Sequence, residues 1–319
     1  SRLFLSVALV FTFCYGQTEI SGVIAQNTTW GPNESPVHVV GNTIVNESIE
    51  LIVEPGVEVL FDSGISLIVN GEITAIGEEY NPIIFKNSND GENWGRIVIY
   101  DGDVLRNCII QYGGSGNDEM ILSSGIMDSC IVIYSVTSGI SNSGTISNST
   151  ISNNGGYGVS GEIGIVLNSQ IADNGSGGIS GSSWNSDFKI EGNLIEHNQG
   201  DGIAGAVKLV QDNILFSNTG YGISMDGISN MTITKNQVIA NSSGGIRLAD
   251  DGSTASYNVI ANNTGGYAYH GKDCCMGKLT NSTIYNNAND SYIMYLSNYG
   301  GQKDFNNNTI AGNSSNIDT

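Results

Sequence analysis

From Ile146 to Asn263 the chain repeats one pattern, visible as TISNNGGYGV, QIADNGSGGI, LIEHNQGDGI, ILFSNTGYGI and QVIANSSGGI. Each copy sets an aliphatic residue, two spacers, an asparagine, a glycine-rich corner and a second aliphatic. The first aliphatic falls at Ile109, Ile131, Ile151, Ile171, Ile195, Leu215, Val238, Ile260, Ile284 and Ile310, at intervals of 20 to 26 residues. A period of that length, with short apolar stretches and no room for a helix, specifies a solenoid of stacked β-coils. One coil has too few inward side chains to form a core. The next coil, stacked about 4.8 Å above, supplies the cover. Each aliphatic buried this way contributes roughly 1.5–3 kcal/mol.

Three residues past the aliphatic, asparagine recurs at Asn154, Asn174, Asn198, Asn218, Asn241, Asn263, Asn287 and Asn313. Stacked at the coil repeat, these amides can hydrogen-bond along the axis as a structural ladder. Tyr112 and Tyr134 stand at that place in the two preceding coils. Corner glycines such as Gly158, Gly178 and Gly222 are expected where the backbone turns with φ > 0. Upstream, residues 17–100 alternate apolar and polar in steps of two: Leu51, Val53; Val57, Val59, Phe61; Ile83, Phe85; Ile97, Ile99. Pro55-Gly56, Asn70-Gly71 and Asn81-Pro82 punctuate them, which reads as strands and turns. Trp30 and its neighbours are expected to cover the open edge of the first coil.

The repeat, with the upstream phrases NTTWGPNESP, EPGVEVLFDSGISLIVNGEITAIG, NPIIFKNS and WGRIVI, resembles the right-handed parallel β-helix repeat family of the pectate-lyase-like superfamily. The resemblance implies an all-β, single-stranded right-handed parallel β-helix (β-solenoid) of about a dozen coils. Residues 1–16 read as a secretory signal peptide: Arg2 leads the apolar run LFLSVALVFTF, and Cys14 and Gly16 place small residues before Gln17. That run is too short to span a bilayer, and no later segment is long enough. Residues 17–100 are then the amino-terminal cap and first coils. Residues 101–319 are the repeats, with a loop insertion near 270–280. A start without Met and an end inside a coil are expected of a fragment of a longer chain, secreted or displayed at the cell surface.

Acidic residues outnumber basic ones by 31 to 11, giving a net charge of −20. Nucleic acid is excluded as a partner on this reading, because its binding relies on neutralising phosphates. A polyanion is disfavoured unless a cation bridges it. Cys108 and Cys130 occupy the same place on adjacent coils. They are within disulfide reach in a secreted chain, or form two stacked free thiols. Cys274 and Cys275 lie side by side in the insertion, without zinc spacing.

The family's enzymes imply a groove on the flank of the helix that holds extended sugar chains. Arg247 precedes Asp250 and Asp251, and Asp226 and His270 lie about one coil to either side. Asp226, Asp250, Asp251 and His270 are therefore the catalytic candidates, as acid and base groups. Asp226, Asp250 and Asp251 could also hold calcium; no other cofactor is expected. The paired aspartates follow their strand instead of leading into it, a departure from the polygalacturonase-type pattern. Tyr157 and Tyr221, with Asp201 on a coil between them, are the ligand-binding candidates, since aromatic faces stack on pyranose rings. A second tyrosine set, Tyr267, Tyr269, Tyr292, Tyr295 and Tyr299, lies near the end of the sequence. Two functions follow. One is a secreted module that binds polysaccharide or cell-surface glycan, or acts as a structural spacer. The other is a calcium-assisted polysaccharide lyase or glycoside hydrolase.

Overall fold

The computed structural model describes residues 18–116, 118–142, 144–162, 164–182, 188–249, 252–271, 278–289, 292–296, 304–314 and 316–318. Residues 1–17, where a signal peptide is expected, Asp250, Asp251, Lys272, Cys274, Cys275 and Tyr299 lie outside the described residues, as does most of the 270–280 stretch. Each repeat lays down three short strands. One coil contributes Thr145–Ser147, Thr150–Ser152 and Tyr157–Gly161, and the next contributes Ile165–Leu167, Gln170–Ala172 and Gly177–Ser182. Each strand pairs in parallel with its equivalent one coil away. Three sheets result: a first through Thr150–Ser152, a second through Tyr157–Gly161 and a third through Thr145–Ser147. The first two join at the long strand Val37–Val45, whose halves pair with Glu58–Phe61 and Leu67–Val69. The architecture is a right-handed parallel β-solenoid of about 12 turns, without a helix among the described residues.

Inward positions form one column per sheet. Ile151, Ile171 and Ile195 stack in the first, Val159, Ile179 and Ile203 in the second, and Ile146, Val166 and Ile190 in the third. All nine are fully buried. The alternating residues upstream, from Leu51 to Ile99, join the same core. Trp30 is buried among them, in the strand Thr28–Trp30 paired with Glu50–Val53, so it fills the first coil rather than covering it. Thr28–Trp30 is itself the terminal strand of the third sheet, while Thr18–Ile24, stacked on Val37–Val45, ends the joined first and second sheets.

In the two earliest repeats the core column lies one residue beyond the expected frame. Val132, not Ile131, pairs with Ile151, and Ile110, not Ile109, pairs with Val132. Ile131 is 39% exposed and Val132 is fully buried. The segments CII and CIVI offer aliphatics to both faces of the strand, and a slip of one residue exchanges the faces. Ser135 therefore takes the ladder position, its amide donating to Asn154 Oδ1 at 3.0 Å. Tyr112 and Tyr134 turn outward and stack on each other, with centroids 5.1 Å apart.

From Asn154 to Asn313 the asparagine ladder is continuous. Each Nδ2 donates to the next Oδ1 at 2.9–3.0 Å, and each backbone amide donates to the same oxygen at 2.8–3.1 Å. A second ladder, not anticipated, runs through Ser149, Ser169, Asn193, Asn213, Asn236, Asn258, Ser282 and Asn308. Its signal is an Asn or Ser two residues before the buried aliphatic. Cys130 and Cys108 head this second column, and Cys130 N donates to Ser149 Oγ at 3.0 Å. Both thiols are free and buried, so of the two alternatives it is the stacked thiols that are present. Each thiol faces main-chain carbonyls, as the asparagine amides do: Leu105 O lies 3.3 Å from Cys130 Sγ, and Arg106 O 3.4 Å from Cys108 Sγ. The neighbouring Cys130 thiol and burial push the Cys108 thiol well above its ordinary range.

The corners turn on residues other than the expected glycines. A left-handed residue stands directly before each ladder position: Asn153, Asp173 and His197 (φ 55°) at one corner, Asn148 and Asp212 (φ 50° and 54°) at the other. Asn and Asp tolerate that region best among side chains. Gly158 and Gly222 are required for space. A Cβ at Gly158 would stand 2.6 Å from Ile171 Cγ2 and 2.8 Å from Asn174 Nδ2, and one at Gly222 would stand 2.3 Å from Val238 Cγ1.

Candidate functional site

Because strand residues alternate, the second sheet turns one column outward, and its register is fixed by the buried Val159–Ile246 column. That outward column reads Ser160, Ser180, Ala204, Ser224, Arg247, His270 and Tyr295. Small residues fill the early coils. Charged and aromatic ones fill the later coils. Beside it runs a flanking column in which Tyr157 pairs with Gly177, and Tyr221, one coil past Asp201, pairs with Gly244.

The two columns meet around Arg247. Its Nη1 donates to Ser224 Oγ at 3.1 Å and lies 3.8 Å from Asp226 Oδ2. The Asp226 side chain is 55% exposed, so this pair contributes at most about 1 kcal/mol. Asp201 Oδ1 accepts from the Tyr221 amide at 2.7 Å, and its carboxylate also bonds Ser224. Burial raises the Asp201 carboxyl above its ordinary range, against the pull of the Tyr221 amide and Arg247. The Tyr221 ring lies over Gly244 and Gly266, where a Cβ would stand 2.3 Å from its Cε1 and its hydroxyl respectively. Burial also raises the Tyr221 phenol. Next in line, the His270 ring packs against Tyr267 at 4.7 Å and edge-on against Tyr295 at 5.2 Å.

The structure thus gathers Asp201, Tyr221, Asp226 and His270 on one face and leaves Tyr157 three coils away in the flanking column. His270 does not share a column with Asp226; its register partner is Arg247. Asp250 and Asp251 lie outside the described residues. Of the second tyrosine set, Tyr267 and Tyr295 border the site, whereas Tyr269 is fully buried in the core column. Ser224 is the member that sequence reading missed. Its signal is its place directly after Ile223, as Arg247 follows Ile246.

Two family profiles match, one described as "Right handed beta helix region" over residues 95–223 and one as "Periplasmic copper-binding protein (NosD)" over residues 164–319. Together the two profiles span residues 95–319, and over that stretch the chain is similar to right-handed β-helix repeat proteins. Among solved β-helix structures, a mutant of the periplasmic alginate epimerase AlgG superposes with a TM-score of 0.56 at 13% identity, covering 92% of this chain and 85% of that one. The A-module of the Azotobacter vinelandii mannuronan C-5 epimerase AlgE4 gives 0.52 at 14% identity, covering 96% and 90%. At such identities the likeness is one of fold. No curated protein matches the chain.

Copper sites draw on Cys, His and Met. Among the described residues no three His, Cys, Asp or Glu side chains converge on a metal-sized site. His38 bonds Asp62 at 2.7 Å, His197 packs edge-on against Phe216, and His270 sits between two tyrosines, all on different coils. No metal-sized cluster of His, Cys, Asp or Glu therefore forms among the described residues. Nor is any helix among them long and apolar enough to cross a membrane.

Proposed function

We propose that this β-helix is an extracytoplasmic module that binds an extended polysaccharide along the outer face of its second sheet. The observation that carries the reading is the convergence of Tyr221, Arg247, Tyr267 and His270 on one open, regular face. Aromatic rings present apolar faces to pyranose rings, and the Arg247 guanidinium is a planar donor suited to a sugar carboxylate or hydroxyl pair. The periplasmic family description and the alginate and mannuronan enzymes of like fold support this location and ligand class. At −20 the chain repels polyanions at long range, so Arg247 would decide between carboxylated and neutral sugars.

A second reading, a lyase or hydrolase, is favoured by Arg247 and His270 standing in register on adjacent strands. There they could hold a carboxylate and move a proton at the same sugar ring. One experiment separates the two. The protein is titrated with mannuronan, polygalacturonate and neutral glucans, with and without calcium, while products are followed by chromatography. Binding without turnover, lost in Tyr221→Ala and weakened at least tenfold for the carboxylated polymers in Arg247→Ala, is the expected outcome. Turnover abolished by His270→Ala would establish the second reading. No binding to any polymer would reject both.

A further inference from the structure

The Tyr157 ring reaches over the next coil in the manner of Tyr221. A Cβ at Gly177 would stand 2.8 Å and 3.1 Å from Tyr157 Cε1 and Cδ1. At Gly244 the corresponding distances to Tyr221 Cε1 and Cδ1 are 2.3 Å and 2.8 Å. Each tyrosine thus leans along the axis onto the glycine one coil further on, its Cδ1–Cε1 side over that glycine. Both rings are half-buried and stand in one column. From Tyr157 the register passes through Gly177 and Asp201 to Tyr221, a separation of three coils, or about 14 Å. Between them the outward column is Ser160, Ser180, Ala204 and Ser224, none larger than a serine, and Asp201 stands in the flanking column itself.

From this we infer a distal sugar-stacking subsite at Tyr157, formed by its ring on Gly177. It is reached only by a pyranose polymer that runs along the solenoid axis and is long enough to extend past Tyr221. The inference rests on the reading of the second sheet as a polysaccharide face. It adds the direction of the chain, a second aromatic platform and a dependence on ligand length. Tyr157 contributes no charge and stands outside the Arg247 cluster, so its effect is confined to long ligands.

The test is a length series of mannuronate and galacturonate oligomers, titrated calorimetrically against wild type, Tyr157→Ala, Tyr157→Phe and Tyr221→Ala. Wild type is expected to gain affinity once the oligomer spans both rings. Tyr157→Ala should lose that gain, about three- to tenfold, while binding short oligomers as wild type does. Tyr157→Phe keeps the ring and should keep the gain; Tyr221→Ala should weaken binding at every length. Wild-type-like binding by Tyr157→Ala at all lengths would overturn the subsite and leave the face intact. So would an equal loss for short and long oligomers, which would mark Tyr157 as structural support. Failure of the wild type to bind any oligomer would remove the face itself, and the subsite with it.

Discussion

At the scale of single residues, the Asn198 side chain makes four hydrogen bonds, all to residues of neighbouring coils. Its Oδ1 accepts from Asn174 N and Nδ2 at 3.1 Å and 2.9 Å, while its Nδ2 donates to Ile171 O and Asn218 Oδ1 at 3.1 Å and 2.9 Å. The residue is fully buried, and its only access to partners is along the axis. Asn198→Ala removes the acceptor of Asn174 N and one bond each from Asn174 Nδ2, which keeps Ile151 O, and from Ile171 O. The orphaned amide costs about 1–3 kcal/mol and each further bond about 1 kcal/mol. A loss above about 3 kcal/mol is expected, read by native-state hydrogen exchange because a solenoid can open locally. A loss below about 1 kcal/mol would make the ladder incidental to stability. The left-handed residue before each ladder asparagine works in the opposite sense. Asn and Asp take that conformation at little cost, and Ala240 (φ 58°) and Tyr257 (φ 57°) take it against their preference.

At the scale of the strand, what matters is which face a residue occupies. Val132→Ala should cost roughly 2 kcal/mol by emptying a place in the core column, whereas Ile131→Lys, on the outer face, should stay within about 0.5 kcal/mol of wild type. Denaturant unfolding of the two variants decides it, and the reverse order would restore Ile131 to the core. This is also where the sequence becomes ambiguous. The core column from Ile151 onward is legible because an asparagine three residues later marks the frame, even where Leu194, Ile214, Ile239 or Val259 adjoins the buried aliphatic. Cys130-Ile131-Val132-Ile133 offers three aliphatics, and only pairing with Thr150–Ser152 selects the buried one. The second ladder was written in the same repeat, as Asn or Ser two residues before the aliphatic, but serines at Ser149, Ser169 and Ser282 break its chemical uniformity. The site was legible in part. Asp201, Tyr221, Asp226 and His270 were visible as unusual residues near the second aliphatic. Ile151, Ile171, Ile195, Leu215 and Val238 each stand eight residues before the second-column aliphatic of their coil, but Ile260 stands nine before Tyr269, so counting from the first aliphatic misplaces His270 by one residue.

For the molecule as a whole, the fold supplies a rigid ruler. Parallel strands about 4.8 Å apart repeat the same outward positions along the axis, so a polymer lying on one face meets equivalent places coil after coil. The outward column of the second sheet departs from repetition where Ser160, Ser180 and Ala204 give way to Arg247, His270 and Tyr295. Hydrogen-exchange mass spectrometry with and without long mannuronate and galacturonate oligomers tests that claim most directly. Ligand-induced protection is predicted in the second-sheet strands Tyr221–Met225, Gly244–Leu248 and Tyr269–Gly271, with the third-sheet strands Leu209–Gln211, Thr232–Thr234 and Thr254–Ser256 unchanged. Protection centred on the third sheet, or none on the second at saturating ligand, would contradict it.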